Sequence, residues 1–190
     1  MGYSTDFVGG FKFNKPLTAP QVAYLKKFNE TRRVKRNPLT AERLGDPIRE
    51  AVGLPVGDSG GYFTGGLGDF GQDHDGSILD GNSPPVGQPG LWCQWTPSDD
   101  GTVLSWDGGE KFYNYVEWLK YIIEHFLTPW GVTITGVVRW RGEEFSDTGS
   151  IVVTDNVVDV QDGEKKPIPR GMPKRDTVLG WSEPAKPARA

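Results

Sequence analysis

The chain contains one cysteine, two histidines and two methionines among its 190 residues. Each scarcity removes a class of chemistry. Cys93 has no second thiol for an internal disulfide and cannot build a cysteine-rich metal site. A lone thiol flanked by Trp92 and Gln94 reads as a buried, inert side chain. His74 and His125 are too few for an elaborate histidine centre, and no G-x-S-x-G elbow offers a serine nucleophile. No apolar run approaches the roughly 18 residues a membrane helix needs. The N-terminal "MGYSTDFVGG" lacks the apolar stretch of a signal peptide, and Ser4 and Thr5 follow Gly2 too early for a myristoylation signal. A cytoplasmic location is therefore the expectation.

One further absence is local. Lys26, Lys27, Arg32, Arg33, Lys35, Arg36, Arg43 and Arg49 crowd the first quarter, and then no Lys or Arg occurs before Lys111. The gap holds Asp58, Asp69, Asp73, Asp75, Asp80, Asp99, Asp100, Asp107 and Glu110. The plain expectation is two solvated surfaces of opposite charge that partly neutralise each other. A sharper one is an acidic patch for a basic partner or cation, or a basic helix for an anionic one. A net charge of −4 and the long acidic window make nucleic acid an unfavoured partner.

What is present is mostly glycine and aromatic residues. Gly 26 and Pro 15 imply many loops, whereas seven Trp and an aromatic content of 12% argue for a real core. "DFVGGFKFN" alternates as a half-buried strand. Thr18 is placed to cap a helix with Pro20 in its first turn, with Val22, Leu25 and Phe28 on one face and Lys26, Arg33 and Arg36 off it. Asp46 and Pro47 signal a second helical start. Residues 53–90 form a glycine-rich acidic loop with one short strand candidate at residues 62–64. Loops of this length, when ordered, are often functional.

"LWCQWTP" and "TVLSW" read as a hairpin across "SDDG". Phe112, Val116, Leu119, Ile123 and Phe126 then recur at helical spacing, so most rings of this region, Trp118 included, are expected in a core. "VTITGVVRWRG" and "SIVVTDNVV" read as a second hairpin. "VAYLKKF" and "VEWLKYI" echo each other after a strand, which either a duplicated β-α unit or shared helix patterning produces. The expected fold is a single α+β domain over residues 3–160. Its mostly antiparallel sheet is packed by two main helices, and residues 161–190 form a flexible tail rich in proline and charge. Trp181 and Leu179 are the tail's exceptions.

Several constellations carry little chemistry. Asp73, His74, Asp75 and Asp80 could ligate a divalent ion, yet Gly71 stands where a calcium loop needs its first carboxylate. No metal or cofactor is assigned on that spacing. The glycine runs of "GGYFTGGLGDFG" match neither G-x-x-x-x-G-K-[ST] nor a strand-to-helix G-x-G-x-x-G. Glu143, Glu144 and Asp147 share a loop, which is weak evidence for paired-carboxylate catalysis.

The strings "GQPGLWCQWTP", "WDGGEKFYNYVEWLKYIIEHFL" and "GVVRWRGEE…DTGSIVVTDNVV" resemble a family of uncharacterised proteins encoded by bacteriophages and bacteria, across most of residues 3–158. The resemblance implies a small soluble protein of a phage or prophage setting, where accessory products often bind host components. It carries no catalytic residue. The leading expectation is a non-enzymatic binding protein that engages a host protein or sequesters a small ligand. Its acidic, aromatic-bordered surface would use Tyr62, Phe63, Trp92 and Trp95 as rings and Asp73, His74, Asp75 and Asp80 as polar contacts. The alternatives are a metal-dependent enzyme of nucleotide or sugar chemistry using residues 73–80, and a virion structural protein.

Overall fold

The computed structural model describes residues 2–65, 75–144 and 146–163. Strand β1 (Thr5–Phe13) alternates as its sequence demands: Phe7, Phe11 and Phe13 are buried while Asp6 and Lys12 are exposed. It lies inside a six-stranded sheet built with β4 (Trp95–Pro97), β5 (Val103–Trp106), β6 (Ile134–Gly142), β7 (Thr148–Thr154) and β8 (Val157–Asp162). The order is β4-β5-β1-β6-β7-β8, and every pairing is antiparallel. A separate two-stranded sheet joins β2 (Lys35–Arg36) to β3 (Ile78–Asp80).

Two main helices cover one face of the large sheet. Helix α1 (Ala19–Glu30) begins with a reciprocal capping box between Thr18 and Gln21. Helix α4 (Tyr115–Ile122) runs on into a π-helical turn, Ile123–Leu127. Phe28 of α1 meets Trp118 and Tyr121 of α4 at ring distances of 6.0 and 6.2 Å, and Tyr24 meets Phe126 at 5.3 Å. From the sheet side, Phe7 contacts Tyr115 at 4.8 Å, so helices and strands share one aromatic core. The fold is thus α+β with two main helices, as its patterning predicts. Each helix follows one of two adjacent strands, β1 and β5, an arrangement that duplication and shared patterning both produce.

The elements depart from expectation in four places. The helical stripe predicted from Phe112 starts only at Tyr115, because Lys111 and Asn114 take positive φ of 59° and 54°; Phe112 reaches the core from extended chain instead. "SIVVTDNVV" is two strands. Asp155 and Asn156 adopt φ of 47° and 69°, the mirror-image turn that matches strand twist, and β8 folds back on β7. Residues 62–64 form no strand. Cys93 precedes β4 rather than lying in it, and the proposed tail begins with the end of β8. Residues 164–190 lie outside the described part of the chain.

The short helices α2 (Pro38–Leu44) and α3 (Pro47–Glu50) start at Asn37 and Asp46, whose side chains accept from Thr40 N and Arg49 N. Among the described residues, no helix is long and apolar enough to cross a membrane.

Candidate functional site

The arginines expected on a solvated helix face are interior. Helix α1 ends at Glu30, and the extended chain after it turns Arg33 and Arg36 inward, to 1% and 2% exposure. Arg33 Nη2 donates to the carbonyls of Gly61 and Phe63 at 2.9 and 2.8 Å, its Nε reaches Gln88 Oε1 at 3.3 Å, and its guanidinium lies 4.1 Å from the Phe28 ring centre. Burial lowers its pKa. Arg36 donates to Asp75 and Ser77 and stands over the Phe63 ring at 4.7 Å. Arg49 donates to Leu54 O, while the fully buried Asp46 accepts from Thr64 N and from its hydroxyl. The cation-rich quarter therefore acts as an internal clamp on the glycine-rich segment. Its acceptors are the carbonyl oxygens of Leu54, Gly61 and Phe63 together with the side chains of Asp75, Ser77 and Gln88.

That clamp decides the fate of several candidate residues. Phe63 is buried under Arg36, and Trp95 is 1% exposed, with its Nε1 donating to Tyr115 O at 2.8 Å. Neither ring is available to a ligand at the surface: Trp95 belongs to the main core, and Phe63 to a separate small cluster with Ala41 and Val56. Tyr62 is half-buried, and its hydroxyl lies 2.8 Å from His125 Nδ1. His125 sits in the π-helical turn with its ring 4.1 Å from that of Tyr121. Trp92 remains 38% exposed. Asp75 is tied to Arg36 and Ser77: burial pushes its pKa up, but the Ser77 hydroxyl and the Arg36 guanidinium outweigh this and hold it below the usual carboxylate value. Asp80 is exposed, and Ser83 and Asn82 hold it low. Asp73 and His74 lie outside the described residues. Among the described residues, no group of three His, Cys, Asp or Glu is placed to hold a metal ion. Glu143 and Asp147 instead anchor the N-terminus, accepting from Ser4 N at 2.8 Å and from the Tyr3 hydroxyl at 2.6 Å.

Among the described residues, a concavity lies on the same aromatic hairpin that carries Trp95. A groove of about 570 Å³ is bounded by β1 at Phe7, Val8 and Gly9, by β5 at Val103, Ser105 and Trp106, by the turn at Ser98 and Asp99, and by α1 at Lys26, Asn29 and Glu30. Its volume falls within the range of ligand sites. Three carboxylates, Glu30, Asp99 and Asp107, face one ammonium, Lys26. Lys26 pairs with Asp99. Asp107 accepts from Asn29 Nδ2 at 2.9 Å and from Gly109 N at 2.7 Å, which fixes its orientation at the rim. Trp106 is half-buried against Phe7, 5.4 Å away, and donates to Gln94 Oε1. Sequence reasoning singled out the hairpin and the acidic window but missed Glu30, Asp107 and Trp106 as neighbours. Their proximity depends on α1 crossing the end of β4. The signal available in sequence was only the SDDG turn beside a helix of mixed charge.

Compared with protein-family models, curated proteins and solved structures, the chain finds no match.

Proposed function

We propose that the chain is a non-enzymatic accessory binding protein, of the phage or prophage kind its motifs resemble, which engages a host protein through an acidic, aromatic-bordered surface. The groove between α1 and the β4-β5 hairpin carries this reading. It combines the half-buried ring of Trp106 with a carboxylate rim, in a recess of about 570 Å³. Aromatic anchors within a charged rim are the usual anatomy of a protein-binding hot spot. An excess of negative charge selects a partner of positive potential and speeds its approach.

The test compares capture from a bacterial lysate by the full chain with capture by two variants. Glu30→Lys combined with Asp107→Lys inverts the rim, whereas Asp80→Ala alters an exposed acid of the loop. The expected result is loss of the captured species with the rim variant and retention with Asp80→Ala. Equal capture by all three proteins overturns the groove as the contact surface.

A further inference from the structure

The two edges of the large sheet are unlike. β4 is three residues long, ends in Pro97 and has α1 packed against it. Shortness, proline and a covering helix are devices that keep a sheet edge from pairing with another chain. β8, at the other edge, has none of them. It runs for six residues, Val157–Asp162, without proline, lysine or arginine. Its register against β7 passes from Thr154 opposite Val157 to Gly149 opposite Asp162 with no bulge. All of it is exposed except the half-buried Val158, and Val157 and Val160 are 71% and 41% exposed.

The two-residue turn at Asp155 and Asn156 sets the phase of the backbone. Residues that flank such a turn exchange both hydrogen bonds, and bonded and non-bonded pairs then alternate along the ladder. Val157, Asp159 and Gln161 therefore direct N–H and C=O to β7. The bond from Gly163 N to Thr148 O at 2.9 Å carries the same phase one step further. Val158, Val160 and Asp162 direct theirs outward, where no strand lies among the described residues. Their side chains share a face with the buried Ile151 and Val153, so Val158 packs on the core and Val160 extends that apolar surface along the edge.

We infer that β8 pairs antiparallel with β8 of a second copy of the chain, about a two-fold axis at Val160. The strand's own sequence selects this occupant, because a two-fold interface must be complementary to itself. With Val160 opposite Val160 of the second copy, Val158 lies opposite Asp162, and every outward N–H and C=O of both strands finds a partner. On the other face Asp159 meets Gln161 of the second copy, carboxylate to amide, and no two carboxylates are directly opposed. Centring the pair on Asp159 or Asp162 sets like charges face to face. Centring it on Val158 or Gln161 leaves outward groups of β8 unused. The dimer joins the two sheets edge to edge and leaves the groove beside β4, at the opposite edge, exposed on each copy. It is independent of what that groove binds.

The test follows the full chain by sedimentation equilibrium from micromolar to millimolar concentration, with NMR-detected amide exchange in parallel. The expected result is a reversible dimer. As it forms, the amides of Val158, Val160 and Asp162 should slow at least tenfold, while those of Val157, Asp159 and Gln161, already bonded to β7, should change little. Val160→Lys and Val160→Glu each place two like charges at the axis, so each variant alone should be monomeric and an equal mixture of the two should dimerise. A wild-type chain that stays monomeric at millimolar concentration overturns the inference. So does a dimer that leaves the three outward amides unchanged, or one that persists in both charged variants, because the contact then lies elsewhere. A mixture of folded variants that stays monomeric overturns the register at Val160. Protection of the three outward amides already complete in the dilute monomer also overturns the inference, since the edge is then satisfied within one chain. The exchange pattern of the wild-type chain decides the matter even where a charged variant fails to fold.

Discussion

Trp95 and Trp118 are both fully buried, yet their indole N–H groups are treated differently. Trp95 Nε1 donates to Tyr115 O at 2.8 Å, whereas Trp118 Nε1 has no partner among the described residues. Leaving a buried acceptor stranded costs on the order of 1–3 kcal/mol, and removing an unsatisfied donor recovers a similar amount. Trp95→Phe is therefore expected to destabilise by about 2–4 kcal/mol. Trp118→Phe should change stability by about 1 kcal/mol or less, as lost packing offsets the deleted donor. Urea unfolding of both variants checks this; equal losses would refute the distinction. Cys93 belongs to the same scale. Burial pushes its thiol up to about 12, so at neutral pH it carries almost no thiolate. A thiol reagent should label it only at the rate of unfolding, and rapid stoichiometric labelling of the native protein would contradict its burial.

At the scale of elements, the β7-β8 hairpin depends on one side chain. Asn156 holds φ of 69°, donates from Nδ2 to Val132 O at 3.0 Å, and accepts at Oδ1 from Ile134 N at 2.9 Å. It therefore closes the turn and also pins it to the start of β6. Asn156→Ala loses both bonds and puts a residue that tolerates the left-handed region less well than asparagine at φ of 69°, an expected cost of about 2–4 kcal/mol. Asn156→Gly keeps the backbone freedom and should cost less, which thermal unfolding of the pair would reveal. The clamp on the glycine-rich segment is the second element of interest. Asp75 has its pKa held below the unfolded value, so its contribution is present above the unfolded pKa and lost as pH falls through the folded one. Amides of β2 and β3 should exchange faster as pH drops below about 4, after correction for intrinsic exchange. In Asp75→Asn this extra acid-induced step should vanish. Its persistence there would move the cause to another group.

For the whole molecule, the sheet has two unlike faces. One is covered by α1 and α4; on the other, Lys12, Thr135 and Arg139 remain exposed, and Arg141 approaches Asp6 at 3.5 Å. The groove lies where α1 meets the β4-β5 hairpin, so it is a property of long-range packing and not of any local motif. A binding role placed there predicts that ligand protection concentrates at residues 96–107 and spares the Tyr62–His125 contact, where a loop-centred role would place it. Exchange mapping in the presence of a captured partner distinguishes these outcomes.

Much of the architecture was legible in sequence because it follows from local periodicity. Alternating phenylalanines made β1, the Thr18-Pro20 start made α1, the stripe through Leu119 and Phe126 made α4, and the burial of Trp118 followed from that stripe. The turn at Asp155-Asn156 was present in the letters but hidden inside an apolar run, since strands on both sides look alike. What only the tertiary structure decided was the environment of charges and rings. Arg33 and Arg36 read as surface cations, because nothing in their neighbourhood in sequence supplies acceptors; the carbonyls of Gly61 and Phe63 and the Asp75 carboxylate arrive from about 30 to 40 positions away. Phe63 and Trp95 became core for the same reason, and Glu30 came to share a groove with Asp107. Periodicity fixes which face of an element is apolar, but only long-range packing fixes what that face, or the charge beside it, finally meets.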